Sequence, residues 1–357
     1  MAAPTASYQE HHVIEQVCIW AKSRKIDFSQ DSVGNVLLRY TGTEKRNRKL
    51  PSWVFAAHMD HPGFIVTGES GGKIFAEFLG NVGEQYFKNG RVSFFCESGQ
   101  AAAKVISISK TKKSPFLQCR LELAKPVKFE IPAGTIGMWD LAPYRFSNDT
   151  LYSRGCDDVV GCAAVLCAMD DLVENKINPP CGQVLGLLTR AEEVGFIGAL
   201  GACRNKTLPA NSLVVAIETS KAQPAAPLGG GAIVRVGDSL RTFDSTLTAH
   251  VSAVAKKLAA SNKNFRFTRQ LMPGGACEST AYGIMGYCAT GLCIPLGNYH
   301  NQGAGNKVAP EKINLNDFDS LVKLLAALAK DDGNIAKTDS RLKKRLEDLI
   351  KNRGGYL

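Results

Sequence analysis

The residues able to do chemistry in this 357-residue chain stand at the ends of apolar runs. "VFAAHMDHPG" (54–63) leads four apolar residues into His58, Met59, Asp60 and His61. "SRGCDDVVG" sets Asp157 and Asp158 ahead of a helical stretch, and "VLGLLTRAEEVGFIGA" ends an apolar run on Glu192 and Glu193. "VVAIETS" carries Glu218, and "PLGNYHNQG" carries His300. Sites in α/β sheets form where strands end. One acid at an element end is ordinary, and Asp157 alone could be a helix N-cap. Five segments each delivering a metal-capable group exceed what capping needs, and two of the six histidines belong to the set.

Two imidazoles and three carboxylates without a thiolate suit zinc, with cobalt or manganese as substitutes. Five protein ligands exceed the three that one catalytic zinc takes. Two ions sharing a bridging carboxylate fit better and would clamp a hydrolytic water. A carboxylate outside the ligand set would then take that water's proton. The adjacent side chains of Glu192 and Glu193 diverge, so one can serve each purpose. Alternate strand residues point opposite ways, so His61 is expected at the rim rather than on the metal.

The elements that must position these groups follow from periodicity. Residues 8–23 have helical spacing, and 52–58 ("SWVFAAH") form a short buried strand. Gly-bounded alternating runs fill 67–150, which reads as an inserted, small, all-β, barrel-like domain. After 150, helices at 158–175, near "GFIGALGACRN", "LTAHVSAVAKKLAASN" and "NDFDSLVKLLAALAKD" alternate with strands at "QVLGLLT", "NSLVVAIET" and "GYCATGLCIPLG". That alternation predicts an α/β fold, a mixed, mostly parallel sheet with helices on both faces. The expected organisation is a discontinuous catalytic domain of 1–66 and 151–330, an insertion of 67–150, and a basic helix or tail of 331–357.

Composition removes other classes. Hydrophobic content of 45% and charged content of 21% suit a globular protein. No apolar run approaches the roughly 18–20 residues of a membrane span, so no membrane partner is expected. Net charge is +10, but the basic pieces (43–49, 109–113, 340–353) lack interleaved aromatics. No nucleic-acid partner is expected. Eleven cysteines without CxxC pairs, behind an N-terminus that does not read as a secretory signal, predict reduced thiols and a cytoplasmic protein.

Taken in order, "HMDHPG", "GCDDVVG", "RAEEVGFIGA", "IETS" and "NYH" resemble the dinuclear metallo-aminopeptidases of the tetrahedral, glutamyl and deblocking type. Some members of that family are labelled endoglucanases. The resemblance spans about residues 30–325 and includes the β-rich insertion and "PLGGGAIVRVGD". It implies that His58 and Glu218 hold one metal, that Glu193 and His300 hold the other, and that Asp157 bridges them. It further implies that Glu192 is the general base, that Asp60 orients His58, and that the Asp157–Asp158 bond is cis. Zinc is the expected metal, peptides the substrates, and a homo-oligomer between dimer and dodecamer the assembly. Glu218 stands where the family commonly has Asp, and "GGACESTA" replaces a "GGTDA"-type stretch.

A carboxypeptidase would need a cation for the terminal carboxylate, ideally arginine. Only Arg154 and Arg190 lie within the motifs, so the amino end of a peptide is favoured. Glu278, after the Gly274–Gly275 turn, is the candidate to meet substrate. A carboxypeptidase or deacylase on the same metal core, and a binding relative without activity, stay open as alternatives.

Overall fold

The structure is a computed structural model that describes residues 2–43 and 49–356. Most of the basic piece at 43–49 lies outside them. Helix α1 (His11–Ser23) leads into strands β1 (Asp27–Gln30), β2 (Val36–Tyr40) and β3 (Ser52–His58). Six strands follow without an intervening α-helix: β4 (Gly63–Ser70), β5 (Lys73–Leu79), β6 (Arg91–Cys96), β7 (Gly99–Thr111), β8 (Ser114–Leu123) and β9 (Ile136–Trp139). They close into a barrel in the order β4-β5-β8-β7-β6-β9. Alternation selects its filling, since inward residues such as Phe64, Phe78 and Val92 are fully buried. Phe64, Phe78, Phe87 and Trp139 interlock edge to face, with centroids 4.9 Å apart for Phe64–Phe78 and 5.3 Å for Phe87–Trp139.

The chain then forms β10 (Tyr144–Ser147), β11 (Thr150–Ser153), α2 (Val159–Glu174), β12 (Gln183–Thr189), α3 (Ile197–Arg204), β13 (Ser212–Lys221) and β14 (Ala232–Gly237). It ends with α4 (Ser245–Ser261), β15 (Phe267–Leu271), α5 (Glu278–Ile284), β16 (Cys288–Leu296), β17 (Glu311–Asn314), α6 (Leu315–Ala329) and α7 (Ala336–Arg353). Eight strands make the main sheet, in the order β1-β2-β12-β3-β13-β16-β14-β15. Its centre, β12-β3-β13-β16, is parallel, so these four strands end at one edge. β3 and β12 are buried along their whole length, as near-continuous apolar strands require. One core joins the sheet to α1, α2, α4 and α6, and another joins its opposite face to α3 and α5. The fold class expected from sequence is therefore the fold observed. A small sheet, β10-β11-β17, lies apart from the main one.

Candidate metal centre

The four parallel strands deliver their acids and imidazoles to one place. His58 is the last residue of β3, and Thr189 of β12 pairs with it. Glu192 and Glu193 follow within four residues. Glu218 lies inside β13 rather than past its end, because β13 runs on to Lys221. β13 pairs with β3 only as far as Ala216, which leaves Glu218 to Lys221 lining a cleft. His300 follows β16 in a turn where it takes a left-handed φ of 52°. Asp157 precedes α2 through a cis peptide bond to Asp158, and the N-cap of α2 is Asp158, not Asp157.

His58 Nε2 lies 3.6 Å from Asp157 Oδ1 and 3.7 Å from Glu218 Oε2. His300 Nε2 lies 3.5 Å from Asp157 Oδ2 and 3.2 Å from Glu193 Oε1. The two Asp157 oxygens thus face the two imidazoles separately. Most of these separations are too long for hydrogen bonds. Ligands about 2.0–2.1 Å from a tetrahedral zinc stand roughly 3.3 Å from one another, near the spacing found here. His58–Asp157–Glu218 and Asp157–Glu193–His300 each gather within ligating range. Asp157 Oδ1, Glu193 Oε1, Glu218 Oε1 and His300 Nε2 are buried and have no hydrogen-bond partner. Unpaired buried polar atoms are rare and costly, so convergent ones point to a cation site. The donor set fits a pair of divalent ions.

Each imidazole is oriented from behind. His58 Nδ1 donates to the Asp60 carbonyl at 3.1 Å, and His300 Nδ1 donates to the Asn81 carbonyl at 2.8 Å. That tautomer turns the bare Nε2 of each ring toward the acids, as metal-bound histidines require. Asn81 belongs to the loop after β5, so the barrel segment contributes to the site. The Asp60 carboxylate does more than face His58, whose Nδ1 is 3.5 Å away. It accepts the backbone amides of Glu192 (3.0 Å) and Glu193 (3.1 Å) and the Ser7 hydroxyl (2.7 Å). Burial opposes its charge, yet His58, Ser7 and the Glu192 amide outweigh burial and hold its pKa low.

His61 corrects the sequence expectation. It is not a rim residue but is fully buried, donating from Nδ1 to the Asp157 carbonyl at 2.6 Å. The strand ends at His58, so strict alternation no longer governs its direction. Glu278 is likewise not in the cleft: it opens α5 and is 2% exposed. Burial lifts its carboxyl to about 8, while Thr189 pulls in the other direction. It lies off the cleft lining, on the same short helix as the buried Tyr282.

The sequence reading missed Glu311. This fully buried residue opens β17 and accepts three backbone amides: Cys156 (2.6 Å), Asp157 (3.1 Å) and His300 (2.7 Å). It ties the Asp157 turn to the His300 turn. Nothing in "APEKIN" marks it, since its partners are distant in the chain. Arg235, on β14, was also missed. It is 3% exposed, lines the cleft, and its charge favours the ionised form of Glu218.

The cleft has a volume of about 600 Å³. Glu192 borders it, with Oε2 3.9 Å from His58 Nε2. Burial pushes the Glu192 carboxyl well above its ordinary range; His58 pulls it back, and Glu218 and Glu193 push it further. Burial opposes charge on His300 as well, but Glu193 and Asp157 outweigh it and raise its pKa. So many carboxylates, buried together, repel one another without a cation, and a bound divalent ion reverses that balance.

A barrel-bearing α/β fold with this constellation defines a hydrolase built around a metal centre. Residues 34–324 match the family of M42 glutamyl aminopeptidases, and the chain belongs to that family, whose members hydrolyse peptide bonds. Among solved structures, a TET aminopeptidase from the marine sediment archaeon Thaumarchaeota SCGC AB-539-E09 is 18% identical, with a TM-score of 0.77 over 94% of this chain and 95% of that one. The Pyrococcus horikoshii TET1 peptidase, which can assemble into a tetrahedron or a large octahedral shell, is 22% identical, with a TM-score of 0.72 over 91% and 96%. An endoglucanase-labelled protein of Thermotoga maritima is 18% identical, with a TM-score of 0.66 over 94% and 96%. These likenesses establish the fold alone. No curated protein sequence matches the chain.

Proposed function

We propose that this chain is a two-metal aminopeptidase that releases N-terminal residues from peptides. The observation that carries the reading is the set of four buried, unpartnered ligand atoms on Asp157, Glu193, Glu218 and His300, converging from four segments. His58 and Glu218 would hold one ion and Glu193 and His300 the other, with Asp157 serving both. The charges agree, because the carboxylates of Asp157, Glu192, Glu193 and Glu218 match two divalent ions. Zinc is the favoured metal, since imidazole and carboxylate donors with no thiolate suit it.

Bound there, the ions would polarise the scissile carbonyl and acidify a water. Glu192, which no ligand role consumes, takes the proton of the attacking water and returns it to the departing amine. Asp60 fixes the backbone of both glutamates, so their side chains diverge from one rigid turn. His61 and Glu311 hold the Asp157 peptide from its carbonyl and amide sides. In this reading the domain of 1–66 and 151–330 supplies every ligand, and the insertion of 67–150 contributes Asn81.

By analogy with the TET1 peptidase, which can assemble into a tetrahedron or an octahedral shell, the protein acts as a homo-oligomer. A cytoplasmic place of action rests on its eleven cysteines, all free thiols. Among the described residues no helix is long and apolar enough to cross a membrane. The test is a panel of aminoacyl-anilides and short peptides after chelation and reloading with zinc, cobalt or manganese. N-acetylation of a good substrate should abolish cleavage; equal cleavage of free and acetylated peptides would move the reading to a deacylase or carboxypeptidase. Glu192→Gln should lose on the order of 100- to 10,000-fold in turnover with metal retained, whereas Glu193→Gln should lose metal. Swapped phenotypes would exchange the two roles.

A further inference from the structure

Helix α7 has no buried residue and lies beyond the family-matching residues 34–324. Its start is docked. Ile335 packs against the main core, Thr338 Oγ1 lies 2.9 Å from His250 Nδ1, and Asp339 accepts from Thr246 Oγ1 at 2.9 Å. Ile335 precedes Leu342 by seven residues, so both stand on the same face. That face continues past Asp339 as Leu342, Leu346, Leu349 and Ile350, which are 53%, 56%, 37% and 61% exposed. The side of α7 that packs on its own chain therefore runs on uncovered.

We propose that a second copy of this chain covers this seam with its own α7, antiparallel and related by a two-fold axis at Leu346. Charge decides the orientation. Asp339 and Arg353 lie seven residues either side of Leu346, on the seam itself. Reversal about Leu346 sets Asp339 against the partner's Arg353, Leu342 against the partner's Ile350, and Leu346 against itself. It also brings Arg345 alongside the partner's Glu347. A parallel pair would stack Asp339 on Asp339 and Arg353 on Arg353, opposing like charges. An isologous contact of this kind closes after two copies. An anionic bilayer would attract the seven basic residues of α7, but it would have to accommodate Asp339 and Arg353 within an apolar stripe that has no Phe or Trp. The seam spans only two heptads, so pairing depends on protein concentration.

The experiment is mass photometry and sedimentation of the full chain, with Leu346→Glu, Leu346→Lys and their equimolar mixture. Each variant alone should give particles of half the wild-type mass or less, because like charges meet at the two-fold axis. The mixture should recover the wild-type mass. Arg353→Asp should weaken assembly, and adding Asp339→Arg should restore it. Unchanged mass in the single variants, or no recovery in the mixture, would overturn the proposal. Wild-type binding to phosphatidylserine vesicles that the Leu346 variants lose, at unchanged mass, would instead give the helix to a membrane. Leu346 packs against nothing in its own core, so peptidase activity and thermal midpoint report that each variant is folded.

Discussion

Replacing Glu311 by alanine removes one carboxylate that holds amides from two turns about 145 residues apart. The Cys156, Asp157 and His300 N–H groups lose their acceptor together, in a place with no exposed surface. Each buried amide left unpaired costs about 1–3 kcal/mol. Three of them sum to roughly 3–9 kcal/mol, and water entering the space left by the side chain recovers part of that. A loss of about 3–5 kcal/mol is therefore expected in the metal-free protein. Glu311→Gln keeps one acceptor but turns an NH2 toward the remaining donor, so about 1–3 kcal/mol is expected. Because Asp157 and His300 both move, metal affinity should fall 10- to 100-fold, the usual cost of removing a group that orients ligands. Urea unfolding of the chelated protein measures the first effect, and competition against a metal buffer measures the second. An alanine variant within about 0.5 kcal/mol of wild type, with unchanged affinity, would refute the claim that one carboxylate joins the two turns.

Four other outcomes are expected. Reloaded protein should saturate at two ions per chain by elemental analysis, and saturation at one with excess metal would end the dinuclear reading. Asp60→Asn should lower metal affinity on the order of 10- to 100-fold by loosening the Glu192–Glu193 turn, measured against the same metal buffer. Phe87→Ala should cost about 3–5 kcal/mol and remove the near-ultraviolet signal of the barrel's aromatic cluster. Burial raises the Asp317 carboxyl to about 6 although Gly229 and Gly231 donate to it, so its contribution to stability is full below pH 3.8 and is lost as pH rises through 6. The stability gap between wild type and Asp317→Asn, followed by unfolding of metal-free protein from pH 4 to 7, should therefore narrow as pH rises.

The strands and the groups at their ends were legible because apolar runs and metal-capable side chains both leave local patterns. β3 ends on His58 as its composition predicts, and Glu192, Glu193, Glu218, Asp157 and His300 meet as their placement implied. What stayed hidden depends on contacts between distant residues. Glu311 becomes important only because two turns pass on either side of it. Glu278 sat next to glycines in sequence but opens the short helix α5, where it is buried and off the cleft lining. His61 follows the end of a strand, where pleat direction no longer predicts where a side chain points.

The segment ahead of α1 has a consequence for the order in which the site comes together. Thr5 donates to the Met59 carbonyl, Ser7 to Asp60, and Glu10 pairs with Arg190 while accepting the Ala191 amide. A ribosome adding about 5–20 residues per second makes Ser7 long before it makes Glu311, roughly 300 residues later. In that interval Ser7 and Glu10 wait for partners not yet translated, and His300 does not yet exist. By the ligand assignment proposed above, His58, Asp157 and Glu218 are all made before His300, so the side chains for one ion are complete before those for the second.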